Sequence, residues 1–301
     1  MITYSFIIPH KNNPDLLQRC VNSIPRRDDI QIIVVDDNSD KMDWNTFKFD
    51  DDKCIELIKT HDNKGAGYAR NIGLEYVTGK WILFADCDDF YYDGFLDILD
   101  KYKNLDIDVL YFNFKGIYSD SHEIYPRYNK TTKYYSDFDN TLDTLDKIRY
   151  KITMPWNKMI NSKFLKRFDI RFEEVMKGND LLFSFLVGFF SKKVAVETQP
   201  LYAWTLQKQS SISNTVLTRL DCQIMAQRRV RNNYFYCYIG KKSYKKSLFK
   251  RILSEIKYRG IRSAFLYLWI YLTSQKVLKK TESYYIKLIE KKIIQNEQKQ
   301  N

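Results

Sequence analysis

The chain of 301 residues is long enough to bury a sizeable core and to form either one α/β domain or a domain with an extension. With 44% apolar and 16% aromatic residues and few glycines and prolines, its composition excludes a disordered, collagen-like or linker-rich protein. The formal net charge of +12 is unevenly placed, because residues 28–108 are rich in Asp whereas Lys and Arg dominate from Lys241 onward. This asymmetry predicts an acidic site early in the chain and an anionic partner for its last part.

The chain opens as a β-α-β unit. Residues 3–8 and 30–35 are continuous apolar runs, which are typical of strands buried on both faces of a parallel sheet. Between them, residues 14–24 have helical spacing, with Asn13 placed to cap the helix and Pro14 at its first position.

The alternation of strands and helices continues along the chain. A strand, a helix, a strand and a helix are predicted at residues 54–58, 67–77, 81–85 and 92–103. This pitch predicts an α/β fold with a doubly wound, mostly parallel sheet, whose ligands bind beyond the carboxyl ends of its strands. Strands that end at Val35 and Ala85 share that edge, so Asp37 and Asp88 are predicted to be neighbours although about fifty residues separate them.

Beyond this alternating pattern the predicted elements change character. Residues 118–136 are polar, rich in Tyr and without period, and we interpret them as a long functional loop. After a strand at 193–197 the pattern becomes helical only, which sets a soft domain boundary near residue 215. The remaining predictions are a strand at 107–115 and helices at 140–150, 161–167, 180–190, 216–238, 243–258, 260–273 and 276–295.

Carboxylates crowd the end of the strand in "WILFADCDDF", residues 81–90. Asp86, Asp88 and Asp89 repel one another unless a cation or hydrogen-bond donors hold them. Hard oxygen ligands without histidine or thiolate suit Mg²⁺ or Mn²⁺, and Cys87 would point away from them because side chains alternate along an extended stretch. An acidic surface turn explains this stretch alone equally well, and "VVDDNSD" at 34–40 taken alone is an Asx turn.

Two further segments have features of anion or substrate sites. "NKGAGYARNIG", residues 63–73, places glycines and Arg70 at a helix start, where a backbone can approach a phosphate. "MKGNDLLFSFLVGFF", residues 176–190, places Asn179 and Asp180 at the start of an apolar helix, where an acidic residue also simply favours the helix dipole. Each segment alone is weak evidence, and their order along the chain is what indicates a common site.

In that order the segments resemble the family 2 glycosyltransferases, which have a GT-A fold and transfer a sugar from a nucleotide diphosphate donor with inversion. The resemblance covers residues 3–213 and is carried by six segments. They are "SFIIPHKN", "IIVVDDNSD", "NKGAGYARNIGLEYVTGKWILFADCDD", "PWNKMINSKFL", "GNDLLFS" and "LYAWTLQKQSSIS".

The resemblance implies three residues at the nucleotide. Pro9 would line the nucleotide pocket at the exit of the first strand. Asp37 would accept a hydrogen bond from the uracil N3 of a UDP-sugar, and Arg70 would place a cation near the nucleotide. The donor is therefore expected to be a UDP-sugar.

The resemblance also implies a metal site and a base. Asp86 and Asp88 match the D-x-D pair, Asp86 near the ribose or the metal and Asp88 on a Mn²⁺ or Mg²⁺ ion that bridges the diphosphate. Asp180 matches the carboxylate that accepts the proton of the acceptor hydroxyl. Direct attack by that hydroxyl inverts the anomeric centre. No role follows for Asp89.

Two positions depart from the family pattern. The family usually has Glu-Asp where this chain has Asn179 and Asp180, which keeps the base and removes a neighbouring charge. It often carries an arginine, which would hold the diphosphate, where this chain has Thr205, and Lys208 is the expected substitute for that arginine.

The predicted domains follow from these segments. Residues 1–215 form a GT-A catalytic domain, with a nucleotide-binding part at about 1–115 and an acceptor part at about 116–215. Residues 216–301 form a basic, aromatic-rich helical extension. This extension either packs on the catalytic domain or docks on an anionic membrane near a lipid-linked acceptor. No nucleic-acid motif accompanies its basic charge.

The sequence thus predicts a metal-dependent, inverting glycosyltransferase that acts on a glycan or lipid-linked acceptor in surface-polysaccharide synthesis. Five cysteines without C-x-x-C spacing and the absence of a signal-peptide pattern predict a cytoplasmic place, free or peripheral on the inner face of the cell membrane. The alternative is a non-catalytic protein that keeps the fold and binds a membrane or another anionic partner through its basic helices. Asn179 and Thr205 favour the alternative, whereas Asp86, Asp88 and Asp180 argue against it.

Overall fold

The structure is a computed structural model that describes residues 1–40, 53–125, 129–175, 178–206, 219–245 and 247–298. The chain forms two compact units, Met1–Lys208 and Gln209–Asn301. All of the described strands lie in the first unit.

One sheet of eight strands, flanked by helices, forms the first unit. The strands are β1 (Tyr4–His10), β2 (Ile30–Asp37), β3 (Ile55–Thr60), β4 (Trp81–Phe84), β5 (Phe90–Tyr91), β6 (Val109–Tyr118), β7 (Lys158–Asn161) and β8 (Val194–Leu206). The helices are α1 (Pro14–Asn22), α2 (Ala66–Glu75), α3 (Phe95–Asp100), α4 (Asn129–Ser136), α5 (Leu142–Lys151), α6 (Ser162–Phe168) and α7 (Asp180–Phe190). Across the sheet the strands follow the order β3-β2-β1-β4-β7-β6-β8-β5.

Three strands in the first half of the sheet, β1, β2 and β4, are buried along their whole length. β1 pairs in parallel with both β2 and β4, and β2 pairs in parallel with β3. Burial on both faces explains why these strands are continuous apolar runs in the sequence. The parallel pairing brings the carboxyl ends of β1, β2 and β4 to one edge, as predicted.

The second half of the sheet differs from the prediction. β7 pairs antiparallel with both β4 and β6, so the sheet is mixed. Four residues between a loop and a helix are too few to show a period, which is why the sequence pattern does not predict β7. α4 lies inside residues 118–136, so the prediction of one long loop there is wrong, and β8 continues to Leu206 instead of ending at residue 197.

An aromatic cluster fixes α7 next to the end of β4. The rings of Phe172 and Phe183 stack with their centroids 3.9 Å apart, and Phe84 meets them edge-on at 5.1 and 5.4 Å. Phe84 is the last residue of β4, and Phe183 lies in the first turn of α7. The cluster therefore holds the start of α7 close to the strand end that precedes Asp86.

The second unit is helical over its described residues. It consists of α8 (Arg219–Tyr238), a short 3₁₀ turn (Lys242–Tyr244), α9 (Leu248–Arg259), α10 (Ile261–Thr273) and α11 (Gln275–Gln298), close to the predicted helices. Its core contains Cys222, Ala226, Tyr267, Ile270 and Leu278. Within the part of the chain that the structure describes, no helix has both the length and the apolar character required to cross a bilayer.

Candidate active site

The ends of β1 and β2 carry two of the predicted nucleotide residues. Pro9 is buried in β1, in register with Val35 of β2. Asp37 is only 4% exposed, and its two carboxylate oxygens accept hydrogen bonds from the backbone N–H groups of Lys64 (3.0 Å) and Gly65 (2.7 Å). Asp37 therefore fixes the glycine-rich loop in front of α2, which is a structural role that the sequence did not predict.

Arg70 links three parts of the site. Its guanidinium, on α2, donates one hydrogen bond to Asn179 Oδ1 at 2.9 Å and another to Asp86 Oδ1. The same group lies over the ring of Phe172, 5.3 Å from the ring centroid, and the residue is only 5% exposed. One buried cation thus ties the start of α7 to the carboxylate turn after β4.

Asn179 is the first of the two positions that depart from the family pattern, and it has a clear partner here. An amide oxygen accepts a hydrogen bond from Arg70 as a carboxylate oxygen would. The contact is therefore made without a charge on residue 179, and among the described residues the carboxylate that pairs with Arg70 is that of Asp86.

Gly67, on α2, allows this close approach. A Cβ at this position would lie 2.2 Å from the carbonyl oxygen of Glu173 and 2.7 Å from Cβ of Asn179. Any larger residue would push α2 away from the segment before α7. Glycine is therefore required at position 67, because α2 packs so closely against the segment before α7 that no side chain fits.

Asp89 anchors the carboxylate turn of residues 86–89 to β8. It is 1% exposed, and its carboxylate accepts from the hydroxyl of Tyr202 (2.8 Å) and from the N–H of Thr205 (2.7 Å). The Tyr202 hydroxyl in turn accepts from the N–H of Asp86 at 2.9 Å. The role that sequence reasoning missed is thus structural, because the partners of Asp89 lie more than a hundred residues away in the chain.

Asp88 has a different environment from its neighbours. Its side chain reaches solvent from a recess crowded by protein atoms, and this desolvation together with the charge of Asp86 raises the pKa of Asp88 to about 6. Its carbonyl oxygen accepts from the guanidinium of Arg19 and from Thr205 Oγ1 at 2.5 Å. Of the three carboxylates in the turn, Asp88 is the most exposed to solvent, so a cation from solution can reach it most easily.

Arg19, on α1, is a second cation at this turn that sequence reasoning missed. It donates to Ser119 Oγ at 2.9 Å and to Thr205 Oγ1 at 3.2 Å, and its guanidinium lies 5.2 Å from the centroid of the Phe90 ring. An arginine from α1 therefore stands beside the position where the family often has one and this chain has Thr205. Lys208, the substitute that the sequence suggested, lies outside the described residues.

Asp180 is the first residue of α7 and is half-buried, directly after the Asn179 that Arg70 holds. A buried lysine in β7, Lys158, faces the same region. It donates to the carbonyl of Met154 and to Asn157 Oδ1 (2.8 Å). Burial lowers the pKa of Lys158 to about 7, and the charge of Asp180 opposes that shift.

Lys158→Met should flatten the pH dependence of stability. The unfolded chain keeps the lysine proton until about pH 10, whereas the native lysine loses it near pH 7. Between these values the unfolded state binds more protons, so wild-type stability rises with pH by roughly 1.4 kcal/mol per unit from this group. Urea unfolding at pH 7, 8 and 9 should show this slope in the difference between wild type and variant. Lys163→Met, at an exposed position on α6, is the control, and equal slopes for both variants would contradict the assignment.

Comparison with known proteins adds a family and a fold. The model of the family described as glycosyl transferase family 2 matches residues 5–168, more than half of the chain. Glycosyltransferase GlyA of Streptococcus pneumoniae is 25% identical over 214 residues, which are 68% of this chain and 30% of that protein. Putative glycosyltransferase EpsH of Bacillus subtilis is 24% identical over 232 residues, 69% of this chain and 62% of that protein. The chain thus spans 30% of the length of the first relative and 62% of the second.

A solved structure is similar over nearly the whole chain. Staphylococcus aureus TarS, residues 1–349, in complex with UDP-GlcNAc, superposes with a TM-score of 0.63 at 18% identity and covers 98% of this chain and 92% of that one. At this identity the likeness concerns the fold. The prediction of a GT-A α/β fold with C-terminal helices is confirmed.

Proposed function

Because the chain belongs to glycosyl transferase family 2, we propose that it transfers a sugar, with inversion, from a UDP-sugar to a hydroxyl of a glycan or lipid-linked acceptor. The observation that carries this proposal is the carboxylate turn at the edge of the sheet. There Asp88 reaches solvent while Asp86 and Asp89 are held by the protein. Two cations bind the same turn, Arg19 at the Asp88 carbonyl and Arg70 at the Asp86 carboxylate. Both cations favour the ionised form of Asp88 and would favour a diphosphate beside it.

The donor nucleotide is proposed from three residues and one relative. Pro9 and the loop that Asp37 fixes line the strand edge, where nucleotides bind in α/β sheets. Each carboxylate oxygen of Asp37 has a second lone pair, so it can accept from uracil N3 while holding the loop. Arg70 supplies charge next to Asp86. The TarS structure with UDP-GlcNAc supports a UDP-sugar for this chain too.

A divalent cation is proposed at Asp88, with Asp86 beside it. One oxygen of Asp86 is committed to Arg70, so Asp88 is the better ligand. Among the described residues no group of three or more His, Cys, Asp or Glu is arranged to hold a metal by itself. This donor set suits Mn²⁺ or Mg²⁺, which accept few protein carboxylates and take further oxygens from phosphate. When bound, the ion would neutralise charge on the leaving diphosphate.

Asp180 is the proposed base. Its place at the start of α7, next to Asn179, sets it on the Arg70 side of the carboxylate turn. An ionised carboxylate there can accept the proton of an incoming hydroxyl as that hydroxyl attacks the anomeric carbon. The chain's own residues then act in sequence: Arg19 and Arg70 orient the diphosphate end, and Asp180 removes the proton.

The acceptor is proposed to be a surface glycan. The relatives include a poly(ribitol-phosphate) β-glucosyltransferase of Bacillus spizizenii, 27% identical over 217 residues, 68% of this chain and 32% of that protein. A cell-surface polymer or its lipid-linked precursor is the matching class of acceptor here. For an acceptor of this class, we propose that the chain acts at the inner face of the cell membrane, as a peripheral protein.

The non-catalytic alternative has no specific observation in its favour. It drew on Asn179 and Thr205, and both side chains have partners in the site. Asn179 accepts from Arg70, and Thr205 Oγ1 donates to the carbonyl of Asp88. Both departures therefore contribute to the arrangement that holds the carboxylate turn.

Thermal unfolding with UDP and Mn²⁺ tests the proposal. We expect UDP to raise the melting temperature by a few degrees in the presence of Mn²⁺, because a ligand at about 100 times its Kd stabilises by roughly 2.7 kcal/mol. Asp88→Asn should lose the metal-dependent part of this shift, since a neutral amide is a poor ligand for a hard cation. Asp93→Asn, an exposed position after the same turn, should retain it.

Two results would count against this proposal. Absence of any UDP-dependent shift in the wild type would contradict nucleotide binding. A metal-dependent shift that persists in Asp88→Asn would place the ion elsewhere. A panel of UDP-sugars, followed by release of UDP, then identifies the sugar.

A further inference from the structure

The helix α10 of the second unit is apolar on two opposite sides. One side packs inward, where Ser263, Ala264, Tyr267 and Ile270 are buried. Tyr267 and Ile270 belong to the core of this unit. Packing of this side against the core stabilises α10.

The other side of α10 is exposed. Ile261, Phe265, Trp269 and Leu272 are between 51% and 65% exposed, and their spacing of four, four and three residues places them along one face of the helix. A helix that is apolar all round is normally covered on all sides. This face of α10 therefore needs a partner.

A second apolar face lies on α9. Phe249, Leu253 and Ile256 are between 41% and 68% exposed, again at helical spacing. α9 packs against α10, and the single residue Gly260, with a φ of 82°, separates the two helices. We call these exposed residues of α9 and α10 together the apolar face. Seven large apolar side chains at one helix corner exceed the scattered exposure that is ordinary on protein surfaces.

The exposed charge within the segment that carries the apolar face has one sign. Residues 241–280 contain twelve Lys and Arg and a single acidic residue, Glu255. Glu255 is 1% exposed, and its carboxylate is paired with Arg251 at 2.6 Å. In the described part of this segment, every solvent-exposed ionised side chain is therefore cationic. The exposed cations are Lys245, Lys250, Lys257, Arg262, Lys276, Lys279 and Lys280.

We propose that the apolar face docks on a lipid bilayer that contains anionic lipid. Apolar and aromatic side chains would enter the boundary between headgroups and acyl chains, and the surrounding cations would contact anionic headgroups. α10 has 13 residues and is about 20 Å long, shorter than the ~30 Å hydrocarbon core, so it would lie in the interface. Arg219, whose guanidinium is 5.3 Å from the centroid of the Trp269 ring, sets a cation beside the most suitable interfacial side chain.

A second copy of the chain is a poorer occupant. In a two-fold dimer the same patch meets itself, so two basic segments would be brought together. Their like charges would oppose association, whereas an anionic membrane attracts them. The inference concerns the second unit alone. It names the surface through which the chain would bind the membrane in the proposed peripheral location. It does not depend on sugar transfer.

Vesicle flotation of the full chain tests the inference. We expect binding to phosphatidylcholine vesicles with about a third phosphatidylglycerol, weaker binding in high salt, and little binding to phosphatidylcholine alone. The double variant Phe265→Ser and Trp269→Ser should lower the partition coefficient roughly tenfold or more, because each lost apolar side chain removes its burial term. Leu142→Ser, an equally exposed position on α5, should float like the wild type.

A second measurement keeps the test decisive if the double variant does not fold. The fluorescence of Trp269, taken as the difference between wild type and Trp269→Phe, should shift to shorter wavelength with anionic vesicles and be quenched by brominated lipid. Equal flotation of wild type and double variant, or no quenching of Trp269, would overturn the inference. Dimerisation without vesicles that the double variant abolishes would overturn it as well, by showing that a second copy covers the face. Because both readouts measure binding only, they leave the proposed transferase activity untouched.

Discussion

Asp180→Asn should reduce sugar transfer by about 10²- to 10⁴-fold, the usual contribution of a general base, while the affinity for UDP stays unchanged. The amide has the shape of the carboxylate but cannot accept the proton of the acceptor hydroxyl. The contacts that hold the start of α7 come from Asn179 and from the Phe172–Phe183 stack, so the substitution leaves them in place. UDP release from the best donor measures the rate, and calorimetry measures UDP binding.

A matched control exists on another helix. Asp143 lies in the first turn of α5, as Asp180 does in α7, and forms an ion pair with Lys147 at 2.6 Å. Asp143→Asn should keep full activity. If Asp180→Asn keeps its activity, the base is another residue. If the Asp180→Asn variant loses UDP binding, Asp180 belongs to the donor site and its assignment as the base is wrong.

The sequence predicts best those strands that are buried on both faces, because they are continuous runs of apolar residues. β1, β2 and β4 are apolar runs because both of their faces are covered, and the acidic residues that follow them mark the edge where they end. Parallel pairing then brings Asp37 and the turn of residues 86–89 to that edge without further information. Local pattern and sheet topology together were sufficient for this half of the site.

The rest of the site depends on contacts between distant segments. Asp89 and Asp88 are adjacent in sequence, yet one is buried against β8 and the other reaches solvent. Nothing in their spacing distinguishes them, because the difference lies in Tyr202 and Thr205. Arg19 is likewise an ordinary basic residue in the last turn of α1 until the fold places it against the turn.

The interpretation of Asn179 and Thr205 changes for the same reason, because their partners are also distant in the sequence. In the sequence alone, Asn179 and Thr205 are neutral residues at positions where the family usually or often has charged ones. This difference weakened the case for an enzyme. In the structure each one receives or gives a hydrogen bond within the site, Asn179 with Arg70 and Thr205 with the turn. A departure from a family pattern is informative only once its partners are known.

Asp89→Ala should lower the free energy of unfolding by about 2–4 kcal/mol, because it leaves the Tyr202 hydroxyl and the Thr205 N–H buried without an acceptor. Burial and the charges of Asp88 and Asp86 raise the pKa of Asp89 well above its usual range, which offsets part of its contribution. The turn would also lose two of its hydrogen bonds to β8, so UDP binding in the presence of Mn²⁺ should weaken. Urea unfolding and calorimetry measure the two effects.

The conservative variant and the partner variant separate anchoring from ligand binding. Asp89→Asn should cost less than Asp89→Ala, since its amide oxygen still accepts from Thr205. In the Tyr202→Phe background, Asp89→Ala should cost less than it does in the wild type, because both changes break the hydrogen bond from the Tyr202 hydroxyl to Asp89. The cost that remains should be that of the Thr205 N–H, whose acceptor only Asp89→Ala removes. The exposed Asp93→Ala should change stability by less than about 0.5 kcal/mol. If Asp89→Ala abolished nucleotide binding at unchanged stability, its carboxylate would act on the ligand. The turn would then have to be anchored by the hydrogen bonds that Asp86 makes to Tyr202 and that Thr205 Oγ1 and Arg19 make to the Asp88 carbonyl.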